Sequence, residues 1–192
     1  MTGQNGGAST SILAPSQDDR AVLREASDGI GGALIAINMV EHALDLALTN
    51  YFELQEASLT LLPMMDFRAK MTVIQRDELL CNILDKPTRN RMHRLYDKRN
   101  VIAHGHVRLA TGGEILASGE RYEVHYPRND ETLHPNDVSA IHSEAVVLLG
   151  LVCEAVKEIN DIVRPLKALT AKYPGMSVQE IIERMRRLAE EG

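Results

Sequence analysis

The longest helical pattern in the chain opens at Asn136-Asp137 and closes at Pro165. Ile141, Val146, Leu149, Val152, Val156 and Ile159 recur along it chiefly in steps of three and four. A helix gains most of its stability in a protein by burying one apolar face, so a run of this length needs other elements laid against it. Ala145 to Val152 is apolar nearly all round and is expected to be core. Pro165 predicts a kink or an end. Composition narrows what can cover this helix: aromatics make up 4% of the 192 residues, with no Trp and 2 Phe, so the core is aliphatic with 8 Met as gap fillers. One domain of ordinary size made of packed helices follows.

The rest of the chain supplies partners. Residues 1–16 are rich in Gly, Ser and Thr and are expected to be a disordered tail. Ser16 before Gln-Asp-Asp reads as a helix start, and the Asp28-Gly-Ile-Gly-Gly32 stretch as an interruption. From Ala33 to Leu54 runs a first long helix whose stripe of Leu34, Ile37, Leu44, Leu48 and Tyr51 is broken by Glu41. Two readings of Glu41 stand: a carboxylate at the edge of the stripe, or one that faces Arg99 and His104 and orients them. Pro63 precedes a third helix, Asp66 to Leu84, and Pro87 suits the first turn of a fourth. His106 to Ala110, Glu114 to Ala117 and Arg121 to Tyr126 alternate between Gly-containing turns and read as a small antiparallel meander. Ser177-Val-Gln-Glu180 is a capping box opening a last amphipathic helix, residues 177–190, which must dock on the domain or on a partner.

The fourth helix carries the candidate chemistry. In Arg89 to His106, reading RNRMHRLYDKRNVIAHGH, Met92, Leu95, Tyr96, Ile102 and Ala103 form an apolar face on which Arg99 also falls. A guanidinium stays charged, so something anionic should meet it. Asn100 and His104 are four apart and lie one above the other. Gly105 ends the helix, leaving His104 in the last turn, where the helix dipole favours an imidazolium and Arg99 opposes it. An imidazole in such a balance suits proton transfer.

Arg99-Asn100-Val101-Ile102-Ala103-His104 resembles the R-x(4 to 6)-H signature of the HEPN superfamily, small all-helical domains found in toxins, defence nucleases and catalytically silent regulators. The resemblance spans roughly residues 30 to 105 and includes Glu41 inside the first helix and Phe67-Arg68-Ala69-Lys70-Met71. It implies a mainly α, up-and-down bundle over residues 17–172, with the meander at about 106–126 as an insertion. It also implies metal-independent cleavage of RNA to 2',3'-cyclic phosphate and 5'-hydroxyl ends. His104 would act as base or acid, Arg99 would bind the scissile phosphate, and Asn100 would hold a phosphate oxygen or orient the His. Glu41 and His106 are candidate supporting residues, and Arg94, Lys98 and Arg108 candidate RNA contacts. One His does not easily serve as both base and acid, which a two-fold homodimer resolves. An antitoxin or regulatory protein is a further expected partner. The alternative from another class is a catalytically silent dimeric module in which the same residues form a structural hydrogen-bonded cluster.

Several classes are disfavoured. A net charge of -6 gives no overall basic footprint for nucleic acid, although Lys86, Arg89, Arg91 and Arg94 cluster near the motif. Cys81 and Cys153 sit apart inside apolar patterns and read as reduced core thiols, with no CxxC to hold zinc. His104 and His106 lack flanking ligands at metal spacing, so neither metal nor cofactor is expected. The N-terminal sequence has no basic and apolar leader, and no later run reaches the length of a membrane span, so a cytoplasmic protein is expected.

Overall fold

The structure of the protein, a computed structural model, describes residues 16–54, 62–110 and 116–177 together with residues 180, 181, 183, 184 and 187. Its helices are α1 (Gln17–Phe52), α2 (Phe67–Arg76), α3 (Glu78–Ile83), α4 (Lys86–His104), α5 (Pro135–Glu158) and α6 (Arg164–Lys172). A 3-10 turn, Leu62–Met64, precedes α2, and a π-helical turn, Ile159–Val163, joins α5 to α6. Between α4 and α5 lies an antiparallel sheet of β1 (His106–Leu109), β2 (Tyr122–Tyr126) and β3 (Glu131–Leu133), in that order. The protein is therefore mainly helical with a small antiparallel sheet after the motif helix, as composition and periodicity predict.

α1 and α5 share the most extensive helix packing, and the core between the helices is aliphatic: Leu44, Leu48, Met71, Ile74, Met92 and Leu148 are fully buried. β2 lays Val124 into the same core, opposite Val107 on one side and Leu133 on the other. The N-terminus of α1 is a closed capping box: Asp19 N–H donates to Ser16 Oγ at 3.1 Å and Ser16 N–H to Asp19 Oδ2 at 3.0 Å. No break occurs at Asp28 to Gly32. Glycine in a helix interior costs about 1 kcal/mol, but here close approach is gained in return. A Cβ on Gly29 would stand 3.1 Å from the Tyr122 hydroxyl, whereas one on Gly32 would lie 4.0 Å from His142, an ordinary contact.

The expected third helix is two. Asp77 ends α2 and starts α3, its carboxylate accepting Leu79 N–H and Leu80 N–H at 3.0 Å each. Of the expected strand at 114–117, residues 114 and 115 lie outside the described residues, and Leu116 and Ala117 lie in a loop and turn; the third strand is instead Glu131–Leu133. The stretch from Ala145 to Val152 is not core all round. Val146, Val147 and Leu151 are 52%, 51% and 39% exposed, and Ile35, Met39 and Leu46 of α1 are exposed as well. Cys153 is likewise exposed, whereas Cys81 is half-buried with its thiol donating to Ile74 O at 3.3 Å.

Pro165 does not end the helix. Its ring forbids an ordinary α-turn with Asp161, and the π-turn just before it absorbs the missing donor, so that Pro165 sits in the first turn of α6. Beyond α6 the expected capping box closes through Ser177 N–H to Glu180 Oε2 at 2.7 Å and Glu180 N–H to Ser177 Oγ at 3.3 Å. Ile181 is 2% exposed, so this side chain is buried against its own chain. By length and composition both α1 and the α5–α6 segment pass as membrane spans, contrary to expectation. Of the apolar windows, 39% of that in α1 and 33% of that in α5–α6 is buried within the fold, where α1 and α5 pack against each other.

Candidate functional site

α4 is fixed at both ends. Asp85 accepts Thr88 N–H at 2.9 Å, Pro87 lies in the first turn, and Arg89 donates to the carbonyls of Leu84 and of Cys81, the latter at 2.7 Å. At the other end Gly105 N–H donates to Val101 O at 2.8 Å. Gly105 has an ordinary φ of -75°, so its role is space. A Cβ there would lie 2.5 Å from Val101 O and 2.6 Å from Val124 Cγ1. The close seat of β2 against the helix end therefore requires glycine, and it leaves His104 in the last turn with its side chain exposed.

Arg99 is half-buried, with its guanidinium carbon 5.6 Å above the centroid of the Tyr96 ring. Tyr96 stacks on Phe67 at 4.4 Å, and Phe67 meets His93 edge to face at 5.7 Å. This aromatic ladder supports the arginine through its planar face and leaves its hydrogen-bond donors uncommitted. Arg99 Nε is buried without a hydrogen-bond partner, and among the described residues no carboxylate lies within ion-pair distance of Arg99. Asn100 is half-buried and lines a concavity of about 460 Å³ with Asp97, Val101, Tyr126, Arg128, Asn129 and Glu131. With 3.6 residues per turn, Asn100 and His104 share one side of α4 while Arg99 lies roughly 140° around from His104. His106, on β1, is exposed.

Glu41 does not face Arg99 and His104 as one expectation had it. It serves Lys70, whose side chain is fully buried and whose Nζ donates to Glu41 Oε1 at 3.2 Å. Asp45 Oδ1 lies 2.7 Å from the same Nζ, at an angle that makes the contact an ion pair without a good hydrogen bond. An ammonium removed from water is tolerated only with opposite charge beside it, and the Glu41 and Asp45 pair, one turn apart on α1, supplies it. Glu41 also borders Phe67 and Tyr96. Already paired with Lys70, whose single positive charge it shares with Asp45, it therefore reaches the wall that supports Arg99.

The basic residues divide in the same way. Lys98 is paired with Glu131, and Arg108 with Glu123 at 3.2 Å. Arg91 forms a two-pronged bridge to Glu144, at 2.7 and 2.8 Å. This bridge is the main cause that holds the Glu144 carboxyl below its usual range and raises the Arg91 guanidinium further. Arg94 makes no hydrogen bond or ion pair among the described residues. Tyr126, at the end of β2, and Asn129, in the turn after it, lie beside Asn100 and were not singled out in the sequence; their approach to α4 depends on the seat of β2 and has no local signal. His104 and His106 are the histidines nearest metal-ligand spacing, and among the described residues no three His, Cys, Asp or Glu side chains cluster where they could hold a metal ion. What the arrangement offers chemically is a cation with free donors, an amide and an exposed imidazole on one helix. Comparison with protein-family models, with curated proteins and with solved structures finds no match to this chain, and its reading rests on that geometry.

Proposed function

We propose that the protein is a HEPN-like endoribonuclease that cleaves RNA without a metal, leaving 2',3'-cyclic phosphate and 5'-hydroxyl ends. One observation carries this reading: α4 commits Arg89, Arg91 and Lys98 to partners within the fold, yet leaves Arg99, Asn100 and His104 without hydrogen-bond or ion-pair partners among the described residues. A structural cluster would have closed on itself. In the reaction the RNA 2'-oxygen forms a bond to phosphorus as the bond from phosphorus to the 5'-oxygen breaks. His104 takes the 2'-hydroxyl proton or gives one to the leaving oxygen, and Arg99 stabilises charge on the phosphoryl oxygens. A second copy of the chain supplies the other proton-transfer group. The exposed apolar residues Ile35, Met39 and Leu46 on α1 support a homodimer that includes the first long helix.

The same uncovered apolar residues, with Val146 and Val147 on α5, also favour a second reading, a silent dimeric module that acts by docking. The test that separates the two is cleavage of total RNA in the presence of a chelator by wild type, His104→Ala and His106→Ala. Loss in His104→Ala alone supports the nuclease. No cleavage by wild type leaves the module, and loss only in His106→Ala moves the proton transfer to β1.

A further inference from the structure

A second concavity, about 310 Å³, lies where α4 faces α5. Its floor is apolar and nearly closed to water: Leu95 of α4, Leu133 of β3 and Ile141 of α5 are each less than a tenth exposed. Its rim is charged, with Arg91, Arg94 and Lys98 spaced by three and four residues along one side of α4, and Asp137 and Glu144 across from them. Four of these five groups are occupied. Arg91 is bridged to Glu144, Lys98 is paired with Glu131, and Asp137 accepts His134 N–H at 2.9 Å. Arg94 remains. Its charge helps to depress the Glu144 carboxyl, after the Arg91 bridge, but it forms no contact of its own among the described residues.

We propose that this concavity binds a small amphipathic anion, an aliphatic body that covers Leu95, Leu133 and Ile141 and carries one carboxylate or phosphate to Arg94. The volume is at the lower end of the range for small-molecule sites, about 300–1,000 Å³, and such sites combine an apolar lining with a few placed polar groups. The Arg91–Glu144 bridge stiffens the rim, so the site is formed before a ligand arrives. The single uncommitted guanidinium selects one negative charge, while Asp137 and Glu144 oppose a second. The ribonuclease reading is not needed for this inference, because the residues that carry it are neither Arg99, Asn100 nor His104.

The probes are octanoate, octyl phosphate and the neutral octanol, titrated below their aggregation concentrations into the full chain and followed by amide chemical shifts. Saturable shifts centred on residues 91–98 and 133–144 are expected with octanoate or octyl phosphate, and whichever binds more tightly identifies the head group. Octanol should bind about tenfold more weakly, and Arg94→Ala should bring the anions to the level of octanol. Arg94 and Ala140 are both exposed, so Arg94→Ala and the rim-filling Ala140→Trp should fold normally. Ala140→Trp should abolish the shifts. Equal binding of octanol and the anions, unchanged affinity in Arg94→Ala, shifts centred on Ile35 and Met39, or no saturable shifts with any probe would each overturn the proposal.

Discussion

Two polar clusters in this molecule are built from similar side chains and end in opposite states. At the end where α1, α3 and α6 meet, the Tyr51 hydroxyl donates to Asp77 Oδ1 at 2.7 Å, and Asp77 also receives two backbone N–H groups of α3. Lys167 Nζ donates to Tyr51 O at 2.6 Å and lies 3.5 Å above the Tyr51 ring centroid. Burial, reinforced by Asp77, pushes the Tyr51 hydroxyl up to about 12. Burial also raises Asp77, but the N–H groups of Leu80 and Leu79, the Tyr51 hydroxyl and the Lys167 charge prevail and hold its carboxyl below the usual range. On α4, by contrast, Arg99 rests on an aromatic face, and Asn100 and His104 form no side-chain hydrogen bond or ion pair among the described residues. Polar groups that stabilise a fold are consumed by it, and groups left over are available to something else.

The comparison breaks most sharply if the open cluster proves to be scaffold. His104→Ala and Arg99→Ala are expected to slow RNA cleavage by about 10²–10⁴-fold while leaving the melting temperature within about 2 °C of wild type. A large loss of stability in Arg99→Ala would place it with the closed cluster. Next in size is Lys70→Ala, which strands Glu41 and Asp45. Calorimetry should show a loss of about 3–5 kcal/mol, or roughly 10 °C in a chain of this size. Replacing all three by Met, Gln and Asn should recover most of it. In the same series Arg99→Ala and Glu41→Gln should combine additively, within about 0.5 kcal/mol.

A smaller effect, about 1–2 kcal/mol at neutral pH, is expected for Asp77→Ala. Because its carboxyl is depressed in the fold, the contribution is fully present above the ordinary value of 3.8 and disappears as pH falls through the lower folded value. Urea melts should therefore show wild type and Asp77→Ala drawing together as pH falls from 3.8 through the lower folded value. Tyr51 has the opposite sign. Its raised hydroxyl contributes below pH 10 and ceases to as pH rises through about 12. Least of all should follow from Arg108→Ala, since its bridge to Glu123 is half open to solvent: less than about 0.5 kcal/mol by the same melts.

What the sequence revealed was whatever has a local cause. Ser16, Pro87 and Ser177 each mark a helix end through chemistry within four residues, and all three stand where expected. Gly29 misled because its reason lies in Tyr122, far along the chain. Asp77 went unread as a cap because it falls inside an apolar rhythm that continues past it. Glu41 is the instructive half-success: periodicity identified it as a carboxylate on a buried stripe, but nothing in spacing tells which of two cations, Lys70 or Arg99, will meet it. In the candidate site, Arg99, Asn100 and His104 were readable from one helix turn and its glycine. Tyr126 and Asn129 depend on how a hairpin folds back and were not.

The π-turn before Pro165 has a consequence for how α5 and α6 are timed against each other. A π-turn is an α-helix with one residue too many, and each residue of an α-helix advances the phase by about 100°. Everything beyond Ile159–Val163 is thus set back by a single tick of the helical clock, and that offset brings Lys167 under Tyr51. Deleting one residue there would leave a straighter helix with the wrong hour showing: α6 would still form, but it would present a different side chain to the Tyr51 ring.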